Sequence, residues 1–145
     1  MMANKFLRRL RADESGSTIV EFAILAPVIF GLIFGVIQIG MSMQAYNSLR
    51  AVASDTARYA VVEYMKENTV SDAAIQARAV TIARAAPYFL DESVDITVTP
   101  TLSSRVPGTF EKTLLIRYTP PNVLPFFDWS SQELTFSRPI FLIDE

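Results

Sequence analysis

The sequence predicts an α+β protein in which a long N-terminal transmembrane helix extends into a small head. A second helix and a three-stranded antiparallel sheet complete that head. Three observations lead there. Residues 22–43, FAILAPVIFGLIFGVIQIGMSM, carry no charge. Apolar and small residues then recur at three- and four-residue steps at Tyr46, Leu49, Ala53, Thr56, Ala57, Ala60 and Tyr64, the spacing of one helix face. Further on, the period falls to two around residues 94–99, 110–118 and 133–141, as in half-buried strands.

The uncharged run has 22 residues, and a hydrocarbon core of about 30 Å needs roughly 20. Lys5, Arg8, Arg9 and Arg11 precede it. By the positive-inside rule that leader stays in the cytoplasm and the C-terminal part crosses. A secretory signal peptide fits poorly. Its apolar region is about 7–15 residues long and ends at a small-residue cleavage site, whereas here only Met43-Gln44-Ala45 follows a longer run. Gly31 and Gly35 lie one turn apart on one face, a spacing that lets helix backbones approach in lipid, although glycine is also common in membrane helices without that role. Pro27 removes a backbone donor and is expected to kink or loosen the helix. Gln38 is a hydrogen-bonding group for another helix, or a residue near the far interface.

Glu21, at the mouth of the apolar run, has two readings. Thr18-Ile19-Val20-Glu21 matches a capping box, and an acid there complements the helix dipole. Alternatively, cleavage after Gly16 makes Ser17 a new N-terminus and Glu21 the fifth residue. The free amine would then need a carboxylate partner, because an unpaired charge in a helix bundle is costly.

The periodicity carries the first helix on for a total of about 50 residues, with Asn47, Arg50, Ser54, Asp55, Arg58 and Lys66 on its other faces. Asn68-Thr69-Val70-Ser71 breaks it. Ser71 is an N-cap for a second helix, with Asp72 in its first turn; Ile75, Ala79, Ile82 and Ala86 mark its buried face and Pro87 ends it. Val94, Ile96 and Val98 form the first strand; Phe110, Lys112, Leu114, Ile116 and Tyr118 the second, with Leu115 as an apolar exception. Val106-Pro107-Gly108-Thr109 turns between them. Residues 133–141 form the third, where Pro139 indicates an edge or a strand end. Between the last two lies PPNVLPFFDW. Phe126, Phe127 and Trp129 there either fold back as a lid on the sheet or form a contact patch.

Composition limits the chemistry. The 145 residues include no Cys and no His, so thiolate ligands and the commonest general base are missing. The net charge of −2 gives no footprint for nucleic acid. Asp91, Glu92 and Asp95 read as a solvated loop, without the ligand spacing of a calcium site. No enzyme, no cofactor and no metal are expected.

A basic leader, Gly16, four residues, Glu21-Phe22 and an apolar run together resemble the class III signal of type IV pilins. The form GSTIVEFAILAP resembles TadE-like proteins of tight-adherence (Flp) pilus systems, with Gly16, Val20, Glu21, Phe22, Ala23 and Pro27 matching. Ser17 and Thr18 are generic. The stretch from Leu49 through Ala57-Arg58-Tyr59-Ala60, and later Tyr118, Pro120, Leu124, Pro125 and Phe126, are similar to the same family. The resemblance implies cleavage by a prepilin peptidase after Gly16, so that residues 1–16 are a leader, 17–45 the transmembrane helix and 46–145 a periplasmic head. It also implies the small major pilin, other minor pilins or pseudopilins, the inner-membrane assembly platform and membrane lipid as partners. A single-pass anchor whose head binds a ligand is the alternative expectation.

Overall fold

A computed structural model describes residues 15–123 and 132–143. Helix α1 (Ser15–Met65) runs for 51 residues. It is followed by α2 (Asp72–Arg84) and by strands β1 (Asp95–Pro100), β2 (Thr109–Tyr118) and β3 (Leu134–Ile143). The α+β architecture is the one the sequence predicts.

Helix α1 is already formed at Ser15 and continues through Pro27. Thr18 is therefore inside the helix rather than at its N-cap, which removes the capping-box reading of Thr18 and Glu21. Once a helix is running, each further residue adds a hydrogen bond at little extra cost, so Ser15 and Gly16 join it. Pro27 removes one bond without interrupting the rod.

The end of α1 is built by Glu63. Its carbonyl accepts from Lys66 N at 3.1 Å and Asn68 N at 3.1 Å. Its carboxylate accepts from Asn68 Nδ2 at 2.8 Å and Lys66 Nζ at 3.0 Å. Glu67 sits at φ 59°, reversing the chain. Ser71 then caps α2, accepting from Ala74 N at 3.2 Å, as its position before Asp72 predicts.

The buried row of α2 is Ile75, Ala79 and Ala83. Ile75 and Ala79 agree with the spacing; Ile82 is only half-buried and Ala86 is exposed. The reason is geometric. Steps of four keep 75, 79 and 83 on one line, and the helix stops at Arg84, before Ala86 can join it.

The sheet has the order β1-β2-β3, antiparallel throughout. Ile116 lies opposite Ile96 on one side and Phe136 on the other. One face of the sheet thus presents Ile96, Val98, Leu114, Ile116, Tyr118, Ile140 and Leu142, all buried. Helix α2 lies over β1, and α1 lies over β3 and β2. Small residues on α1, Ala45, Ala53, Ala57 and Ala60, alternate with Leu49 and Val52 in this core and let the helix come close. Tyr46 meets Phe136 edge-on at 6.0 Å.

Two members of the predicted β2 face are not core. Phe110 is exposed. Lys112 points inward and is neutralised by Asp72 at the start of α2, with Nζ to Oδ1 at 2.6 Å. Pro139 lies on β3, an edge strand, where its missing donor breaks no ladder on the open side.

Candidate functional site: an exposed apolar helix and its junction with the head

Twelve large apolar residues between Ile19 and Ile37 are 40–71 % exposed. Half-burying side chains of this size is worth roughly 10–20 kcal/mol in total. That matches or exceeds the whole stability of an ordinary domain, about 5–15 kcal/mol. Such a surface does not persist in water; it is covered by lipid or by other helices. Among the described residues, one helical stretch, Thr18–Met65, is long and apolar enough to cross a membrane.

Gly16 and Ser17 lie in the first turns of α1. Ser17 and Glu21 are four residues apart, hence one turn apart on one face, and Phe22 beside them is exposed. Gly31 and Gly35 are on the same helix, some 15 Å or more further along at 1.5 Å per residue. A Cβ added at either glycine would meet nothing within 4 Å, so that face is open. Phe30 and Phe34 flank it with their rings 6.5 Å apart. Glu21 and the glycine pair are therefore separated along one rod. Phe126, Phe127 and Trp129 lie outside the described residues.

Gln38 binds the chain's own head. Its Nε2 donates to the carbonyl of Pro121 at 3.2 Å, and its Oε1 accepts from Val123 N at 3.0 Å. One side-chain amide thus satisfies both a donor and an acceptor of the chain leaving β2. The expectation of a partner helix is replaced by an intramolecular clasp. Two signals were available: Gln38 is the single polar side chain between Phe22 and Met41, and Pro120-Pro121 marks a stiff segment without backbone donors.

Around this clasp the loops of the head meet α1. Ser93 Oγ donates to Thr119 O at 3.0 Å, tying the start of β1 to the end of β2. Ser93 N donates to Asp91 Oδ1 at 2.8 Å, and Tyr118 Oη reaches the other oxygen at 3.5 Å. The Ser93 bonds hold the Asp91 carboxyl below its usual range. Burial, with Asp91 beside it, pushes the Tyr118 phenol up. Asp95 faces Arg117 at 3.9 Å. These acids brace the loop.

At the opposite end of the sheet, Glu111 is only 4 % exposed. Arg105 covers it. Its Nε lies 2.9 Å from Oε1 and its backbone N 2.9 Å from Oε2. The Arg105 hydrogen bonds hold Glu111 below the usual carboxylate range and raise Arg105 itself. Arg105 also stacks over Phe141 at 5.8 Å. The pair straddles the Val106-Pro107-Gly108 turn, and Gly108 takes φ 73°, a conformation glycine adopts without strain.

The molecule thus combines a helix long and apolar enough to cross a membrane with a folded head on the same helix. Over residues 16–58 the chain matches the family model of TadE-like protein. The segment is similar to TadE-like pilins of tight-adherence systems, and the match supports a role in those pilus systems and association with their components. No curated protein and no solved structure matches the chain.

Proposed function

We propose that the protein is a minor pilin or pseudopilin that takes part in assembling or initiating a tight-adherence (Flp, type IV) pilus, after a prepilin peptidase removes residues 1–16. One coincidence carries the proposal: the TadE-like match begins at Gly16, at the head of a long exposed apolar helix that bears a folded domain. In this reading Gly16 gives the peptidase a flexible, side-chain-free scissile position. Ser17 supplies the new amine. Glu21, on its own or a neighbouring helix, pairs with that amine as helices come together, offsetting a burial cost of several kcal/mol per ion. The open Gly31 and Gly35 face allows close approach.

The head has a role apart from the span. A domain of this size hinders dense packing along a thin fibre. A priming or tip position, or a membrane complex that starts assembly, therefore suits it better than the bulk subunit. The partners in this reading are the prepilin peptidase, the major pilin, other minor subunits and the inner-membrane platform, with the head in the periplasm. The role is structural, not enzymatic.

Intact mass tests it, with the protein expressed with and without an active prepilin peptidase. Loss of residues 1–16, abolished by Gly16→Trp, is the expected result. An unchanged N-terminus in both cultures would remove the processing step and leave a single-pass anchored binding module.

A further inference from the structure

The Gln38 clasp fixes how deep the head sits. The uncharged residues 22–37 number 16 and extend about 24 Å at 1.5 Å per residue, most of the hydrocarbon thickness of about 30 Å. Gln38 is the first polar side chain after them, and it holds the backbone at Pro121 and Val123. The chain leaving β2 therefore lies beside α1 where the hydrocarbon ends. The apolar run continues to Met43, with Ile39 and Met43 exposed on one side of the helix; on the other side Met41, Gln44 and Ala45 share a groove with Phe89, Pro120 and Pro121.

Phe89 presents the second apolar element at this level. It is 72 % exposed and held at φ 47°, a conformation costly for a bulky residue. Its neighbours impose it. Leu90 is buried and donates its N–H to Ala83 O at 2.9 Å. Tyr88 donates its hydroxyl to Asp55 at 2.8 Å. With both neighbours anchored, Phe89 is displayed on a rigid loop. An aromatic ring beside proline-rich backbone, at the end of a membrane-length helix, is suited to the bilayer interface.

We propose that the head rests on the lipid surface through Phe89 and residues 120–123, forming an interfacial collar around α1. The proposal rests on the membrane-spanning reading of α1. Apart from Asn122 the collar is apolar, and among the described residues it carries no Lys or Arg, so its contact is with the interfacial zone itself and not with anionic headgroups.

The chain lacks cysteine, so single cysteines report cleanly. Spin labels at Phe89→Cys, Pro121→Cys, Val106→Cys and Ile33→Cys in the full chain, in phosphatidylcholine nanodiscs, give depth from the accessibility of oxygen against a water-soluble nickel chelate. Val106 lies in the turn at the opposite end of the sheet, and Ile33 in the span. The expected order is Ile33 deep, Phe89 and Pro121 interfacial, and Val106 aqueous, unchanged by added salt. Labels at 89 and 121 as open to nickel as that at 106, with 33 still deep, would overturn the collar while leaving the span intact. A label at 33 open to nickel would overturn the span, and the collar with it. Two independent collar positions guard against one substitution disturbing its loop.

Discussion

Replacing Gln38 by Leu keeps side-chain volume and helix propensity but removes both bonds of the clasp. Each hydrogen bond contributes about 0.5–1.5 kcal/mol net, so the two together hold residues 121–123 against α1 by about 1–3 kcal/mol. Pro121 is exposed and Val123 half-buried, so water partly replaces the lost partners and the upper end of that range is not exceeded. At 1.4 kcal/mol per tenfold in an equilibrium constant, local opening rises between about fivefold and a hundredfold. Hydrogen exchange in detergent micelles reads this directly. The Val123 amide, which donates to Gln38 Oε1 at 3.0 Å, exchanges faster by that factor. The amides of Leu114 and Ile116 in the central strand keep their wild-type rates. An unchanged Val123 rate would mean that the clasp does not hold the segment. Equal acceleration at Leu114 and Ile116 would mean that Gln38 acts on global stability, and the notion of a local clasp would fail.

Other perturbations test the head. Ile116→Ala, at a fully buried position in the central strand, is expected to cost about 2–5 kcal/mol, read as a lowered denaturant midpoint. Lys112→Met strips Asp72 of its ion-pair partner at 2.6 Å; both groups are partly exposed, so the expected loss is about 1–2 kcal/mol, measurable as a drop in Tm. The folded-state pKa of Glu111 lies below its ordinary 4.5. Its contribution is therefore complete above that value and disappears as pH falls through the folded pKa. Acid titration of Tm should show this decline in the native chain and a flatter profile in Glu111→Gln. Identical profiles would disprove the assignment.

Much of the head was legible because its signals are periodic. Leu49, Ala53 and Ala57 repeat at helical steps, and Ile96, Leu114 and Ile116 alternate, so burial follows from spacing alone. Ser71 was recognisable because capping is local chemistry. The misses have two causes. Thr18 looked like a cap because a hydroxyl followed three residues later by an acid is common inside helices as well, and helix extension overrode it. Gln38 and the Arg105–Glu111 pair depend on which segments fold back beside them. That is long-range information: Gln38 and Val123 lie 85 residues apart. Gly16, Ser17 and Glu21 are the opposite case. Their pattern was plain in the sequence, yet the fold adds only that they share one helix end.

The continuity of α1 from span to core has a mechanical consequence. No loop separates the exposed apolar residues from Leu49 and Val52 at the centre of the head, so the two share one angular phase. Inserting a single residue between Gln44 and Leu49 would swing Glu21, Gly31 and Gly35 about 100° around the axis relative to the sheet. Seven residues, nearly two full turns, would bring them almost back. The azimuth of the open glycine face is thus set by the packing of the chain's own head, and torque applied to the rod anywhere along its length reaches both.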